Sequence, residues 1–312
     1  MRVRILGSAA GGGFPQWNCQ CENCVRMRRG EIRAIPRTQC SLAISADGRR
    51  WRLINASPDL PAHLRTLSAT DLAPAGSRTG VLDAIILTDG ELDHCAGLLA
   101  IRETGPLAIY STAAVRDWIF GMNAAFAAIC RPGRLEWRDL PVGGAGGVTE
   151  VEIRTASGED TGLRASATAV AAKIPRYVGG DGPEPSGAAI ALRIRSADSA
   201  AALLYAPCLR RIDEALLAAA RHSSCILLDG SFWWDDEMAR RGAGTATATA
   251  MGHLPIGGPH GSLAAMRELD GIRKIYTHIN NTNPILDEDS EERRQLAEAG
   301  WEVAADGMTL EL

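Results

Sequence analysis

Between Ala84 and His94 the chain changes character within a few residues. Ala84-Ile85-Ile86-Leu87 is wholly apolar, and Thr88-Asp89-Gly90-Glu91-Leu92-Asp93-His94 follows with three carboxylates and an imidazole. A short run of this kind predicts a strand buried on both faces, as in a layered sheet. Its end delivers polar side chains into a loop, where sites gather in layered α/β folds. Carboxylates this close repel one another or raise each other's proton affinity unless a cation neutralises them. The plain alternative is a solvated acidic loop whose Asp93 caps the next helix.

The rest of the chain alternates in the same way. Val3–Leu6 predicts a buried strand, followed by the glycine-rich loop Gly7–Gly13. Ser41–Ser45 and Arg50–Ala56 predict a hairpin about Asp47-Gly48. Further strands are expected at Leu107–Ser111, Ala188–Ile194, Ala202–Ala206, Ile226–Asp229 and Lys274–Thr277. Helices are expected over Cys95–Glu103, from about Thr112 to Met122, and near Ile212–Arg221 and Ser262–Leu269. Glu302–Leu312 has the pattern of a hairpin about Asp306-Gly307. The Gly-, Pro- and Ala-rich middle, Gly143 to Gly187, predicts long loops covering a site. No internal period or linker divides the chain, so residues 1–312 are expected to form one layered α/β domain with two sheets.

Composition narrows the class. With 312 residues, 46% hydrophobic and 22% charged, the chain can bury a core without staples. Those proportions exclude disorder, collagen-like repeats and coiled coil. A net charge of -4 offers no basic face to displace counterions from nucleic acid. No apolar run is long enough for a membrane span, and the N-terminal run is too short for a signal peptide. A cytoplasmic location with reduced thiols is therefore the expectation. The sequence leaves the oligomeric state open, a homodimer included.

Three of the eight cysteines lie in Cys19-Gln20-Cys21-Glu22-Asn23-Cys24, within reach of one tetrahedral centre. This spacing favours a structural zinc over a Cys21/Cys24 redox pair, because a redox C-x-x-C carries no third cysteine. No fourth ligand lies nearby. It must come from far along the chain, with His253, His278 and Asn281 as candidates.

The pattern Asp89-x-Glu91-x-Asp93-His94 resembles the H-x-H-x-D-H signature of the metallo-β-lactamase superfamily, placed after an apolar strand and before a helix as in that family. The glycine-rich loop and a late His278 at a strand end fit as well. The resemblance implies a four-layer αββα sandwich. Asp89 and Glu91 stand where the superfamily has imidazoles. Its late metal-bridging Asp is not evident in Leu204-Tyr205-Ala206-Pro207-Cys208, which puts a dinuclear zinc hydrolase in doubt. Asp93, His94 and His278 have the two-imidazole, one-carboxylate composition of non-haem Fe(II) oxygenases.

Longer segments resemble the PqqB family of coenzyme PQQ biosynthesis proteins. They are Leu6–Gly13, Pro15–Cys19, Asn55–Asp59, Met251–His253 and His278–Pro284. That resemblance implies a structural Zn2+ at Cys19, Cys21 and Cys24. It further implies an iron-dependent hydroxylase acting on the tyrosine ring of the cross-linked Glu-Tyr precursor of PQQ. A carrier for PQQ or its precursor, linked to transport, is the alternative, and a degenerate zinc hydrolase a third. This chain departs from the family at Cys40, where Ser is usual, and at Cys208, where Gly is usual. Its Lys173–Ala189 region is shorter, and Ser186-Gly187-Ala188 lacks a His that some members carry.

On this reading Asp93, His94 and His278 hold Fe2+, with Asp89 and Glu91 as supporting or weak ligands. Asn280 and Asn281 are expected to contact substrate or cofactor, Asn283 with them. His253 either lines the site or serves as the fourth zinc ligand. Asp59 is expected to cap a helix, Tyr205 to pack, and His63, His222 and His260 to lie at the surface. Arg37 or Arg102 is expected to recognise substrate carboxylates.

Overall fold

The computed structural model describes residues 1–67, 82–101, 106–121, 125–126, 135–143, 149–179 and 184–312. Among these residues two seven-stranded sheets stack face to face. In the first, β14(Thr309–Glu311), β1(Arg2–Gly7), β2(Ser41–Ser45), β3(Trp51–Ile54), β4(Leu82–Ile86), β5(Leu107–Ser111) and β6(Leu135–Asp139) lie in that order. The second runs β13(Trp301–Val303), β12(Arg273–Thr277), β11(Cys225–Asp229), β10(Ala202–Ala206), β9(Ala189–Ser196), β8(Asp160–Val170) and β7(Val151–Arg154). Both are mixed: β3 to β6 and β10 to β13 pair in parallel, and the remaining pairs are antiparallel.

Alternation along the strands divides the apolar residues among three layers of core. Ile5, Ile44, Ile54, Ile86, Leu163, Leu192, Leu203, Leu227 and Ile275 fill the space between the sheets. Ala43, Leu53, Ile85, Leu87 and Ile109 point outward from the first sheet onto Leu60, Leu98, Val115 and Ile119 of the covering helices. Leu204, Ile226, Leu228 and Tyr276 do the same on the second, against Leu216, Ala220, Met266 and Leu296. Helix, sheet, sheet and helix thus form the four-layer αββα sandwich. The helices that matter below are α1(Glu22–Arg29), α2(Leu60–Thr66), α3(Leu92–Cys95), α4(Ala113–Gly121), α5(Glu214–Arg221) and α6(Glu237–Arg240). On α5, Asp213 accepts a bond from Leu216 N at 3.0 Å and so caps the helix, while Leu216, Ala219 and Ala220 form its buried face.

Several expected elements differ. The helix expected over Cys95–Glu103 is instead α3, ending at Cys95, followed by a tighter turn of helix over Ala96–Ala100; Glu103 and Met122 lie outside the described residues. Gly97 explains the tight path. A Cβ there would stand 2.1 Å from the Ser57 carbonyl oxygen, so only glycine lets this segment press against the loop after β3. The segment near Ser262–Leu269 is helical only over Ser262–Ala265.

The chain between Gly143 and Gly187 is not all loop: β7 and the eleven-residue β8 occupy part of it. Five of the eleven residues of β8 are Ala or Thr, which weaken the alternation signal without preventing a strand. The last residues do not form a hairpin, because β13 pairs with β12 in one sheet and β14 with β1 in the other. The Asp306-Gly307 turn carries the chain across the sandwich.

Candidate functional site

The ends of β4, β10, β11 and β12 deliver Asp89, Cys208, Asp229 and His278 to one rim of the sandwich. There Asp89, Cys208 and His278 border a cavity of about 490 Å³ lined also by Glu91, Asp93, Lys173, Arg176, Tyr177, Ser231, Phe232, His253 and Asn280. Bridges from Asp89 to Ala189 and from Ala9 to Ile279 tie the two sheets together at this rim.

His94 is fully buried at the end of α3. Its Nδ1 lies 2.9 and 2.8 Å from the two oxygens of Asp89. Asp89 is fixed in turn by the Thr88 hydroxyl at 2.8 Å and the Glu91 amide at 3.0 Å. Thr88 is held by Asn55, a non-glycine residue with φ 63°. With Nδ1 committed to Asp89, Nε2 of His94 faces the site buried and without a hydrogen-bond partner among the described residues.

His278 repeats the arrangement from the second sheet. Its φ of 55° turns the side chain back into the cavity, a conformation that costs a non-glycine residue about 1–3 kcal/mol. Nδ1 lies 2.8 Å from the Ser231 hydroxyl, and Nε2 stands 3.2 Å from Asp93 Oδ2 and 3.8 Å from Cys208 Sγ. The His94 and His278 rings are 5.0 Å apart. Two imidazoles, each tied through Nδ1, therefore direct Nε2 toward a shared space beside a carboxylate and a thiol. Nitrogens facing acceptors with no donor between them suit a cation, and outer hydrogen bonds of this kind orient metal-binding histidines.

Electrostatics agree. Burial works against a charged His94, yet Asp89 and Asp93 overcome it and raise the imidazole to about 9. Burial disfavours an ionised Asp93, but His94 and His278 hold its carboxyl well below the usual range. Burial, together with Asp89 and Asp93, pushes Glu91 up to about 7. A cation here would replace bound protons.

His253 lines the cavity, not the cysteine cluster. Its Nδ1 lies 2.7 Å from Asp229 Oδ2, and its ring stacks on His278 with centroids 5.3 Å apart. Asp229 also accepts from Leu209 N at 3.1 Å and from Ser231 N and Oγ at 2.9 and 2.7 Å. All its acceptor positions are engaged, so its role here is to orient His253.

On the far side of the His278–Pro284 segment, Cys19, Cys21 and Cys24 bring their sulfurs within 4.8 Å of one another. Asn281 Nδ2 sits over them, 3.0 Å from Cys19 Sγ and 3.4 Å from both others. Of the candidate fourth partners, only Asn281 reaches this cluster among the described residues. The Cys21 thiol donates toward Cys24 and, against the effect of burial, lowers it to about 7.

Other expectations are corrected. Arg37 is buried, donating to Ser8 Oγ at 2.8 Å and to the Ala304 carbonyl, so it does not reach the rim; Arg102 lies outside the described residues. His63 is buried rather than at the surface, 2.8 Å from Thr38 Oγ1. Asp59 does not cap α2; its carboxylate accepts from Gln39 N and Nε2 at 2.9 and 3.0 Å. Asn283 shapes the backbone, donating to Gly230 O at 2.9 Å, and Asn280 lines the cavity while donating to Thr282 Oγ1 at 2.6 Å. Tyr205 is buried, as expected for a packing residue. Asp229, Ser231, Lys173, Arg176 and Tyr177 were not singled out for this site. Asp229 alone carried a signal, as a carboxylate at a strand end.

The Beta-lactamase superfamily domain model matches residues 50–279, in accord with the double sheet and its strand-end site. A coenzyme PQQ synthesis protein B from Azoarcus sp. (strain BH72) is 43% identical over 316 residues, covering 100% of both chains. The crystal structure of Zn2+-bound PqqB from Methylobacterium extorquens superposes with a TM-score of 0.88 at 36% identity, again over 100% of both chains. The chain belongs to the coenzyme PQQ synthesis protein B family. A diphosphatase of the PhnP family, at 19% identity and a TM-score of 0.65 over 100% of this chain and 98% of its own, shares the fold.

Proposed function

We propose that this PQQ biosynthesis protein is an Fe(II)- and O2-dependent hydroxylase of the tyrosine ring in the cross-linked Glu-Tyr precursor. The observation that supports the reading is the pair His94 and His278, whose donor atoms lie within 4.8 Å of one another, with Asp93 Oδ2 3.2 Å from His278 Nε2 at the edge of a substrate-sized cavity. Two imidazoles and a carboxylate suit iron and leave coordination positions open.

Iron held there would supply the O2 chemistry. The chain's own groups set up the substrate. Asp89 and Ser231 fix the tautomers of His94 and His278, so that lone pairs face the centre. His253, held by Asp229, is placed to take the phenolic proton, and the neighbouring carboxylate stabilises the imidazolium that results. Lys173 and Arg176 line the cavity with no ion-pair partner among the described residues, and we assign them to the precursor's carboxylates. Phe232, Leu92 and Met251 supply apolar wall against the ring and exclude water from it.

We assign the cysteine cluster to a structural Zn2+ with Asn281 as fourth ligand. Exchanging the amide oxygen and nitrogen of Asn281, which are interchangeable by shape, turns Oδ1 onto the three sulfurs. Such a zinc would pin the loop before α1 to the segment that carries His278.

The test is oxygen uptake by Fe(II)-reconstituted protein with a phenolic Glu-Tyr substrate, in wild type, Asp93→Ala and His94→Ala. Uptake with gain of oxygen by the substrate, lost in both variants, supports the reading. Saturable PQQ binding without uptake supports a carrier, and anaerobic turnover with zinc supports a hydrolase.

A further inference from the structure

We propose that Cys208 is a ligand of the divalent metal held between His94 and His278, so that the donor set in this chain is two imidazoles, the Asp93 carboxylate and one thiolate. The inference rests on the metal reading of that centre, not on the reaction assigned to it.

The geometry is that of a ligand. Cys208 Sγ lies 3.8 Å from His278 Nε2, and donor atoms of His94, Cys208 and His278 all fall within 4.8 Å of one another. A tetrahedral ion with metal–nitrogen and metal–sulfur bonds of about 2.1 and 2.3 Å would hold such a pair roughly 3.6 Å apart. The same argument with an oxygen donor gives roughly 3.3 Å, against 3.2 Å between Asp93 Oδ2 and His278 Nε2. The independent sign that an ion belongs here is His94 Nε2, fully buried and unpartnered among the described residues.

Cys208 is also held in place. It follows β10 directly, and its neighbour Leu209 is pinned by Asp229 Oδ2 at 3.1 Å and by Leu254 N at 2.7 Å. Two of the other buried thiols are committed elsewhere: Cys40 Sγ lies 3.1 Å from Tyr205 OH, and Cys95 donates to Gly90 O at 3.6 Å. The sulfur of Cys208 has His278 as its hydrogen-bonding neighbour.

Binding would form a metal–sulfur bond and break the S–H bond, releasing one proton to solvent. A six-coordinate ion would then keep two open positions where a two-imidazole, one-carboxylate set leaves three. The soft sulfur would also favour zinc relative to metals that prefer oxygen.

The test uses the full-length chain with its cysteine cluster filled by one equivalent of zinc, titrated anaerobically with Co(II) alone. Wild type is expected to show a sulfur-to-cobalt charge-transfer band that is absent from Cys208→Ser and Cys208→Ala, and any contribution from the cluster cancels in the difference. In the same variants zinc affinity at the pocket should fall by at least about tenfold, with a smaller loss for Mn(II), which is suited to carboxylate and water ligands. Equal spectra in all three proteins overturn the inference while the metal centre stands. Equal losses for zinc and manganese do so as well, because they mark a structural defect. If His94→Ala takes up cobalt as wild type does, the metal reading itself fails, and this inference with it.

Discussion

Asp89 holds His94 with both carboxylate oxygens, 2.9 and 2.8 Å from Nδ1, and leaves Nε2 of that fully buried ring with no partner among the described residues. The carboxylate standing where the resembling signature carries an imidazole would thus serve a metal here through the histidine. Asp89→Ala removes the acceptor that fixes the tautomer, and metal affinity is expected to fall by about 10–100-fold. Asp89→Asn keeps an acceptor oxygen and is expected to lose less. Anaerobic equilibrium dialysis with Fe(II) measures both; unchanged binding in Asp89→Ala would remove Asp89 from the centre.

The cysteine cluster makes a separate prediction about stability. Cys24→Ser or Asn281→Ala is expected to lose the structural zinc and lower the melting temperature, since the ion would join the loop before α1 to the His278 segment. Asn281→Asp retains an oxygen donor and should keep the metal. Zinc analysis of dialysed protein separates the cases, and full retention in Asn281→Ala would show that the amide is not a ligand.

Glu237 gives stability a pH slope. It is fully buried, accepting from Trp233 N and Thr282 Oγ1 at 2.6 Å each, and burial raises it from 4.5 to about 7. Between those values the folded chain keeps a proton that the unfolded chain has lost. Stability contributed by this group is therefore full below about pH 4.5 and declines as pH rises toward 7, by up to about 3 kcal/mol. Urea denaturation across this window should show the decline, and Glu237→Gln should flatten it. A slope unchanged by the substitution would place its origin elsewhere.

Lys173 and Arg176 face the cavity from the segment that follows β8. A charge-assisted bond to a carboxylate contributes about 1.5–3 kcal/mol, so each change to Ala is expected to raise KM for the precursor by roughly tenfold or more. kcat should change little, because both groups are assigned to the carboxylates and not to the reacting ring. A substrate lacking those carboxylates should be insensitive to both substitutions, and equal sensitivity would rule out this pairing.

The layered architecture was legible because runs such as Ala84–Leu87 and Cys225–Leu228 are apolar on both faces, and only a covered sheet accommodates that. Asp93, His94, His278 and the three cysteines stood out by type and spacing. The partners that orient them did not. Asp229 looks like any strand-end carboxylate until His253, 2.7 Å away but 24 residues along the chain, is brought to it. Ser231 reaches His278 only because β11 and β12 pair in parallel. The exchange of sheet between β13 and β14 was hidden for a related reason: a turn residue such as Gly307 marks a reversal and not the strand that each arm will join.

Oxygenation of a phenol at the proposed centre of Asp93, His94 and His278 is what separates a hydroxylase from a carrier or a hydrolase. Reaction of Fe(II)-loaded protein with the Glu-Tyr precursor under isotopically labelled O2, with a parallel reaction in labelled water, tests it most directly. Label entering the ring from O2, and no product from His278→Ala, is the predicted result. Label entering only from water, or turnover that persists without oxygen, would contradict it.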